Sequence, residues 1–273
     1  MQVKRAGYYL WLKGTLSNRE IANEQLLVKI KEEFDASDET YGSPRITKEL
    51  RAAGIQCNEK RIARLMRVCG LVALAPRKFV VTTDSDHKLP VAENLLNREF
   101  DVKTINTNWN CDITYIWTRE GWLYLAVVID LFSRRVVGWA MSDIVDRFLV
   151  INALEMAIRQ RRPDVGLLCH SDQGSQYASG DYQDSLKAAG ITCSMSRRGD
   201  CWDNAPVESF FATLKKEMVH RTKFETREQA STAVFGWIEV WYNRKRRHSS
   251  LGYLSPEMFE RQNQPKQPTS MAA

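Results

Sequence analysis

The first seventy residues place their apolar side chains at helical intervals. Leu26, Leu27, Ile30 and Phe34 share one face of a helix predicted over residues 23–34. After the turn-like Tyr41-Gly42-Ser43-Pro44, the run ITKELRAAG repeats the spacing at Ile46 and Leu50, and Gly54 suits the left-handed cap that would end it. In NEKRIARLMRVCGL, Asn58 can cap a third helix. Its apolar face is Ile62, Leu65, Met66 and Cys69, and Lys60, Arg61, Arg64 and Arg67 are left outside. Helix, glycine turn and basic helix predict an N-terminal all-α helix-turn-helix region over 1–74, with Arg61, Arg64 and Arg67 as DNA contacts. A small helical bundle with a solvated basic face fits the same spacing.

Periodicity lapses over 75–102, where Pro76, Pro90 and clustered polar residues predict a linker. It then changes to strand character. Trp109–Trp117, Trp122–Leu131 and Arg135–Met141 are β-rich runs parted by short turns, as in an antiparallel meander. An amphipathic helix over Phe148–Arg161, a buried strand over Gly166–Ser171, a helix over Tyr182–Ala189, a strand over Ile191–Met195 and a long helix from about Pro206 complete the series. That order predicts an α/β domain over 103–262, a mixed sheet covered by helices of the ribonuclease-H-like kind, ending in a basic helix. The polar residues 263–273 read as a disordered tail.

Composition narrows the class. The chain has 273 residues, 44% of them hydrophobic and 26% charged, with a formal net charge of +6 that favours a polyanionic partner. Cys57, Cys69, Cys111, Cys169, Cys193 and Cys201 lack the paired short intervals of a zinc knuckle, and the four histidines are too scattered to complete one. The opening MQVKRAGYYLWLKG has no secretory core, and no run approaches the length of a membrane span. The expectation is a soluble cytoplasmic protein with no membrane partner, nucleoid-associated when on DNA.

Three acids stand out. Asp112 interrupts an apolar strand, where packing alone disfavours a carboxylate; Asp172 closes the buried strand LLCHS; Glu208 falls in the first turns of APVESFFATLKKE, beside Phe210 and Phe211. Carboxylates gathered from two strands and a helix repel one another unless cations lie between them. Hard oxygen ligands suit Mg²⁺ or Mn²⁺, and two such ions would serve phosphodiester displacement. Taken singly, each acid is better explained by a separate salt bridge or cap.

The strings WNCDITYI, LAVVIDLFSRRVVGW, HSDQGSQY, SRRGDCWDNAPVESFFATLKKE and YNRKRRHSSLGYLSP resemble the transposases of the insertion sequence 3 family, whose catalytic core is similar to that of retroviral integrases. The likeness covers residues 103–260, and the basic helix-turn-helix and GYYLWLKG also look like that family's downstream reading-frame product. Between Asp172 and Glu208 lie residues 173 through 207, 35 in all, the spacing such DDE enzymes use.

The resemblance implies a transposase that cleaves transposon ends and transfers strands, with Asp112, Asp172 and Glu208 as catalytic metal ligands. Lys215, two helical turns beyond Glu208, is expected at the transposon end, and Asp130 is expected to be structural. The residues also offer DNA contacts at Gln176 and Tyr177, at Arg197 and Arg198 with Gly199 in a flexible loop, at Trp202, and at Arg244, Arg246 and Arg247 in the basic run from Asn243 to His248. Packing is the alternative for Tyr177 and Trp202. Asp203 or Asn204 is expected to cap the Glu208 helix.

The implied partners are double-stranded DNA, as ends and target, further copies of the chain on that DNA, and the family's upstream reading-frame protein. The family's complete enzyme carries an upstream helix-turn-helix and a coiled coil, whereas this sequence shows neither a heptad run nor a second helix-turn-helix. Two other readings remain open at this point: a DNA-binding regulator with an inert ribonuclease-H-like fold, and a nuclease without strand transfer.

Overall fold

The computed structural model describes residues 5–12, 14, 16–74, 90–197 and 201–263, the side chains of residues 6, 10, 11 and 201 excepted. The first part of the expected linker (75–89), Arg198 and Gly199 of the expected loop, and the tail after residue 263 lie outside them. The chain forms two compact units, Met1–Ala75 and Pro76–Ala273.

In the first unit, α1 (Arg5–Leu12) precedes α2 (Asn18–Ala36), whose start is a reciprocal capping box between Ser17 and Glu20. A third helix, α3 (Ser43–Ala52), opens with Pro44 in its first turn, and α4 (Glu59–Val68) is capped by Asn58, whose side chain accepts from the Lys60 amide at 2.8 Å. The apolar faces read from spacing meet: Leu26, Ile30, Phe34, Ile46, Leu50, Ile62, Leu65 and Met66 are all buried. Arg64 and Arg67 remain exposed on α4. Arg61 is half-buried and donates Nε to Asn23 Oδ1 at 2.9 Å, which leaves it less available to DNA than its neighbours.

In the second unit the described strands form one sheet in the order β3-β2-β1-β4-β5. Its members are β1 (Asn108–Thr118), β2 (Gly121–Asp130), β3 (Val136–Ser142), β4 (Leu168–Ser171) and β5 (Thr192–Met195). The first three pair antiparallel, and β1–β4 and β4–β5 pair parallel. One face packs against α5 (Arg147–Arg161) and α6 (Gly180–Ala188) through Trp109, Cys111, Ala126 and Val128. The other packs through Ile116, Leu125, Val127 and Ile129 against α7 (Ala205–Glu217) and α8 (Arg227–Phe235). Alternation along β1 and β2 therefore decides which helical layer each side chain meets.

Two expectations need correction. Residues 90–102, predicted as linker, are part of this unit: Leu96 is buried, the Leu95 and Leu96 amides donate to Ser194 Oγ, and the Met195 amide donates to the Glu93 carbonyl. Polar composition concealed hydrogen bonds to the β5 edge. The expected basic C-terminal helix is instead α8, a π-helical run over Gly236–Tyr242 and a turn, followed by α9 (Pro256–Asn263). Glu260 of α9 ties this segment back, bonding Ser133, Arg135 and Arg161; Arg161 also meets buried Asp130 at 3.0 Å, so Asp130 is structural. Among the described residues no helix is long and apolar enough to cross a membrane.

Candidate active site

Strand β1 is much longer than its parallel partner. Only Asn108, Trp109 and Asn110 pair with β4, so from Cys111 to Trp117 that edge of β1 has no paired strand, until Phe224 bridges Thr118. Asp112 is the second residue past the last pair, and Asp172 directly follows Ser171, the end of β4. Both acids thus emerge where two parallel strands part, at the carboxyl end of β4, the position where open sheets leave a crevice.

The local backbone fixes each group. Asp112 Oδ1 accepts from the Ile113 amide at 2.7 Å, and Asp172 Oδ1 accepts from the Gly174 amide at 2.9 Å in a short turn. A Cβ on Gly174 would stand 3.0 Å from that oxygen and 3.1 Å from Gln176 Oε1, so a larger residue there would shift those side chains. Glu208 enters from the first turn of α7, a helix seated on the sheet by Val207, Phe210, Phe211 and Leu214.

Electrostatics link the three acids. Burial and then the charge of Asp172 raise the Asp112 pKa well above the ordinary carboxylate range; Glu208 adds to this, while the Ile113 amide and Lys215 oppose it. The Glu208 carboxyl is raised by burial. Burial lowers the ammonium of Lys215, against the pull of Tyr115 and Asp112, and its Nζ lies 4.6 Å over the Tyr115 ring. Among the described residues no three carboxylate, imidazole or thiol groups already converge tightly enough to hold an ion. The donor chemistry nevertheless fits a hard divalent cation, because carboxylate oxygens are hard ligands and the burial and charge repulsion acting on Asp112 are relieved by added positive charge.

A brace stands behind the site. Asp203, fully buried, accepts from Arg197 through both side chain and backbone, from Arg98 Nε at 2.8 Å and from Asn94 Nδ2 at 2.8 Å. These bonds, Arg197 foremost, hold its carboxyl far below the usual range. Asp203 therefore does not cap α7, and neither does Asn204, whose Nδ2 reaches toward the Cys111 carbonyl at 3.5 Å while its Oδ1 is buried without a partner. His170, two residues before Asp172, bonds Ser194 Oγ at 2.8 Å; burial brings its pKa down to about 4, so it is neutral at pH 7.

The expected DNA contacts separate into two groups. Tyr177 is buried in the core with its ring edge-on to Tyr182, so the packing alternative holds and no face is left for a base. Arg246 is also buried, with its guanidinium on Glu217 at 2.7–3.0 Å, and does not present charge to solvent. Arg197 is engaged by Asp203, and Arg247 donates to the Tyr253 carbonyl at 2.9 Å. Gln176 is half-buried beside the Asp172 turn, Trp202 is 68% exposed and Arg244 is exposed. Asn94, Arg98 and Tyr115 escaped the sequence reading. The first two lie in a segment without periodicity, whereas the alternation of Tyr115 with Trp117 on one strand face was there to be used.

Three family models match the chain: two described as integrase core domain, over residues 104–201 and 189–256, and one described as HTH-like domain, over 20–79. The transposase InsF for insertion sequence IS3A of Escherichia coli (strain K12) is 46% identical over 265 residues, covering 96% of this chain and 92% of that protein. The insertion element IS600 uncharacterized 31 kDa protein of Shigella sonnei is 44% identical over 257 residues, 94% of each chain. Among solved structures, a chain of the simian T-cell lymphotropic virus intasome in complex with PP2A regulatory subunit B56 gamma matches 85% of this chain and 74% of its own length. Its TM-score is 0.51 at 16% identity, a likeness of fold.

Proposed function

This chain belongs to the insertion sequence 3 transposases, and from that premise we infer that Asp112, Asp172 and Glu208 are the groups on which its DNA chemistry turns. The observation that carries the reading is the position of Asp112 just past the last β1–β4 pair, charge-coupled to Asp172, Glu208 and Lys215. Together the acids would hold divalent cations, Mg²⁺ or Mn²⁺ and two in number, which when bound supply the positive charge that phosphodiester displacement needs.

The protein's own groups do the positioning. The Gly174 amide holds one oxygen of Asp172, the Ile113 amide one of Asp112, and the apolar side of α7 sets the height of Glu208 above the sheet. Lys215 leans on Tyr115 at the open edge of β1, where a DNA phosphate approaching the acids would meet its charge. Water and then a DNA 3′ hydroxyl serve as nucleophiles, so no covalent protein intermediate is required. Arg64 and Arg67 on α4 are the DNA-facing charges of the first unit, and Arg244 adds to them in the second. Further copies of the chain on the DNA and the upstream reading-frame protein are the partners this reading calls for.

Incubation with Mg²⁺ and a duplex carrying the element's ends tests the reading. Cleaved ends together with joined product are expected. Cleavage without joining would make the protein a nuclease, and binding without cleavage would make it a regulator.

A further inference from the structure

Past the cover of α5, the sheet face that carries Cys111 and Ile113 ends in aromatic side chains. The register pairs Tyr115 with Tyr124 and Trp117 with Trp122 across β1 and β2, so these four share that face. Trp117 is 57% exposed and Trp122 42%, an unusual amount of indole surface for a strand pair otherwise well covered. Trp117 and Trp122 stand edge to face with centroids 4.8 Å apart, and Trp122 meets Tyr115 in the same way at 5.1 Å. Edge-to-face packing fixes each ring while leaving indole faces directed away from the pair. At the inner end of the row, Lys215 Nζ lies over Tyr115.

This row leads away from the carboxylates. Tyr115 is three residues beyond Asp112 and Trp117 is five beyond it, about 16 Å at strand rise, a span of roughly five nucleotides of duplex strand. Because the row lies on the other side of β1 from Asp112, a DNA strand would pass round the β1 edge, where Lys215 of α7 reaches over to Tyr115. A cation next to the reacting site followed by exposed rings is the arrangement that tracks a backbone phosphate and then receives bases. Core packing does not account for it, because the two indoles lie outside both buried clusters of the sheet.

We propose that Trp117 and Trp122, with Tyr115 behind them, form a stacking platform for unpaired bases of the DNA strand that leads away from the carboxylate site. The platform rests on the reading of Asp112, Asp172, Glu208 and Lys215 as the place where DNA is held. An unpaired strand, unlike intact duplex, presents base faces, and rings that do not hydrogen-bond base edges accept any sequence.

The test uses the full chain in EDTA, so that binding is read without cleavage, with a fluorescently labelled forked duplex bearing an oligo(dT) arm and a blunt duplex of the same core. Trp117→Ala and Trp122→Ala are each expected to weaken binding of the forked duplex roughly ten-fold while leaving blunt-duplex affinity unchanged. Trp117→Phe, which keeps a ring, should restore most of the loss, and far-UV circular dichroism should match wild type for all three. Equal affinity of wild type and alanine variants for the forked duplex would overturn the proposal. So would a loss of the same size on both duplexes, or an effect confined to self-association, which would make the surface a protein contact. Mg²⁺-dependent cleavage of blunt ends by the same variants reports on the carboxylates separately: its absence in wild type counts against the acids, not against the platform.

Discussion

Arg244 and Arg246 stand two residues apart in one basic run, yet the fold gives them opposite work. Arg246 is closed in with Glu217, their side chains 7% and 4% exposed, and so joins the turn after the π-helical run to the end of α7. Removing one partner of such a pair leaves a buried charge uncompensated, which costs about 3–5 kcal/mol. Arg246→Ala should therefore lower the urea midpoint sharply. Arg244→Ala should leave the midpoint in place and reduce the salt dependence of DNA binding; equal midpoints for the two variants would contradict this division.

Asp203 shows the same divide between sequence and environment. Its folded pKa is depressed, chiefly by Arg197, so its contribution to stability is complete above the unfolded value of about 3.9 and is lost as pH falls toward the folded one. Asp203→Asn should be clearly less stable than wild type at pH 7, with the gap narrowing below about pH 4. A gap that stayed constant with pH would contradict the ionic brace. Asp112 stood out in the sequence because a carboxylate in an apolar strand violates packing, and Asp172 and Glu208 were joined to it by their strand-end and helix positions and by the family resemblance. The partners of Asp203 and Arg246 did not stand out, since they are brought together from positions far apart in the chain.

Elements were far more legible than individual partners. Strands β1 to β3 and helices α2 to α7 fall within a few residues of their expected positions, because period-2 and period-3.6 patterns directly encode which face is buried. Three features had no periodic signal: the π-helical run over Gly236–Tyr242, the short α9, and residues 90–102, which are held by hydrogen bonds more than by an apolar face. One close approach sets the geometry of the α5 layer. A Cβ on Gly138 of β3 would lie 2.2 Å from the Ala153 carbonyl oxygen and 2.7 Å from Ala157, so α5 can rest on the sheet only because a glycine is there. Gly138→Ala must push α5 outward and should destabilise the second unit by about 3 kcal/mol or more, read as a lowered thermal midpoint. An unchanged midpoint would show that the helix has room to shift.

At the scale of the whole chain, a helical unit with exposed Arg64 and Arg67 and a mixed-sheet unit with a carboxylate cleft give a transposase its two requirements, holding DNA and cutting it. The net charge of +6 is consistent with the first and silent on the second. The second is what we propose for Asp112, Asp172 and Glu208, of which the first two emerge where β1 and β4 part. Asp172→Asn tests that claim most directly, since it removes one charge while keeping the size and the oxygen that the Gly174 amide bonds. With Mg²⁺ and end-bearing duplex, the variant should bind DNA as wild type does and yield neither cleaved ends nor joined product. Retained strand transfer would contradict the assignment.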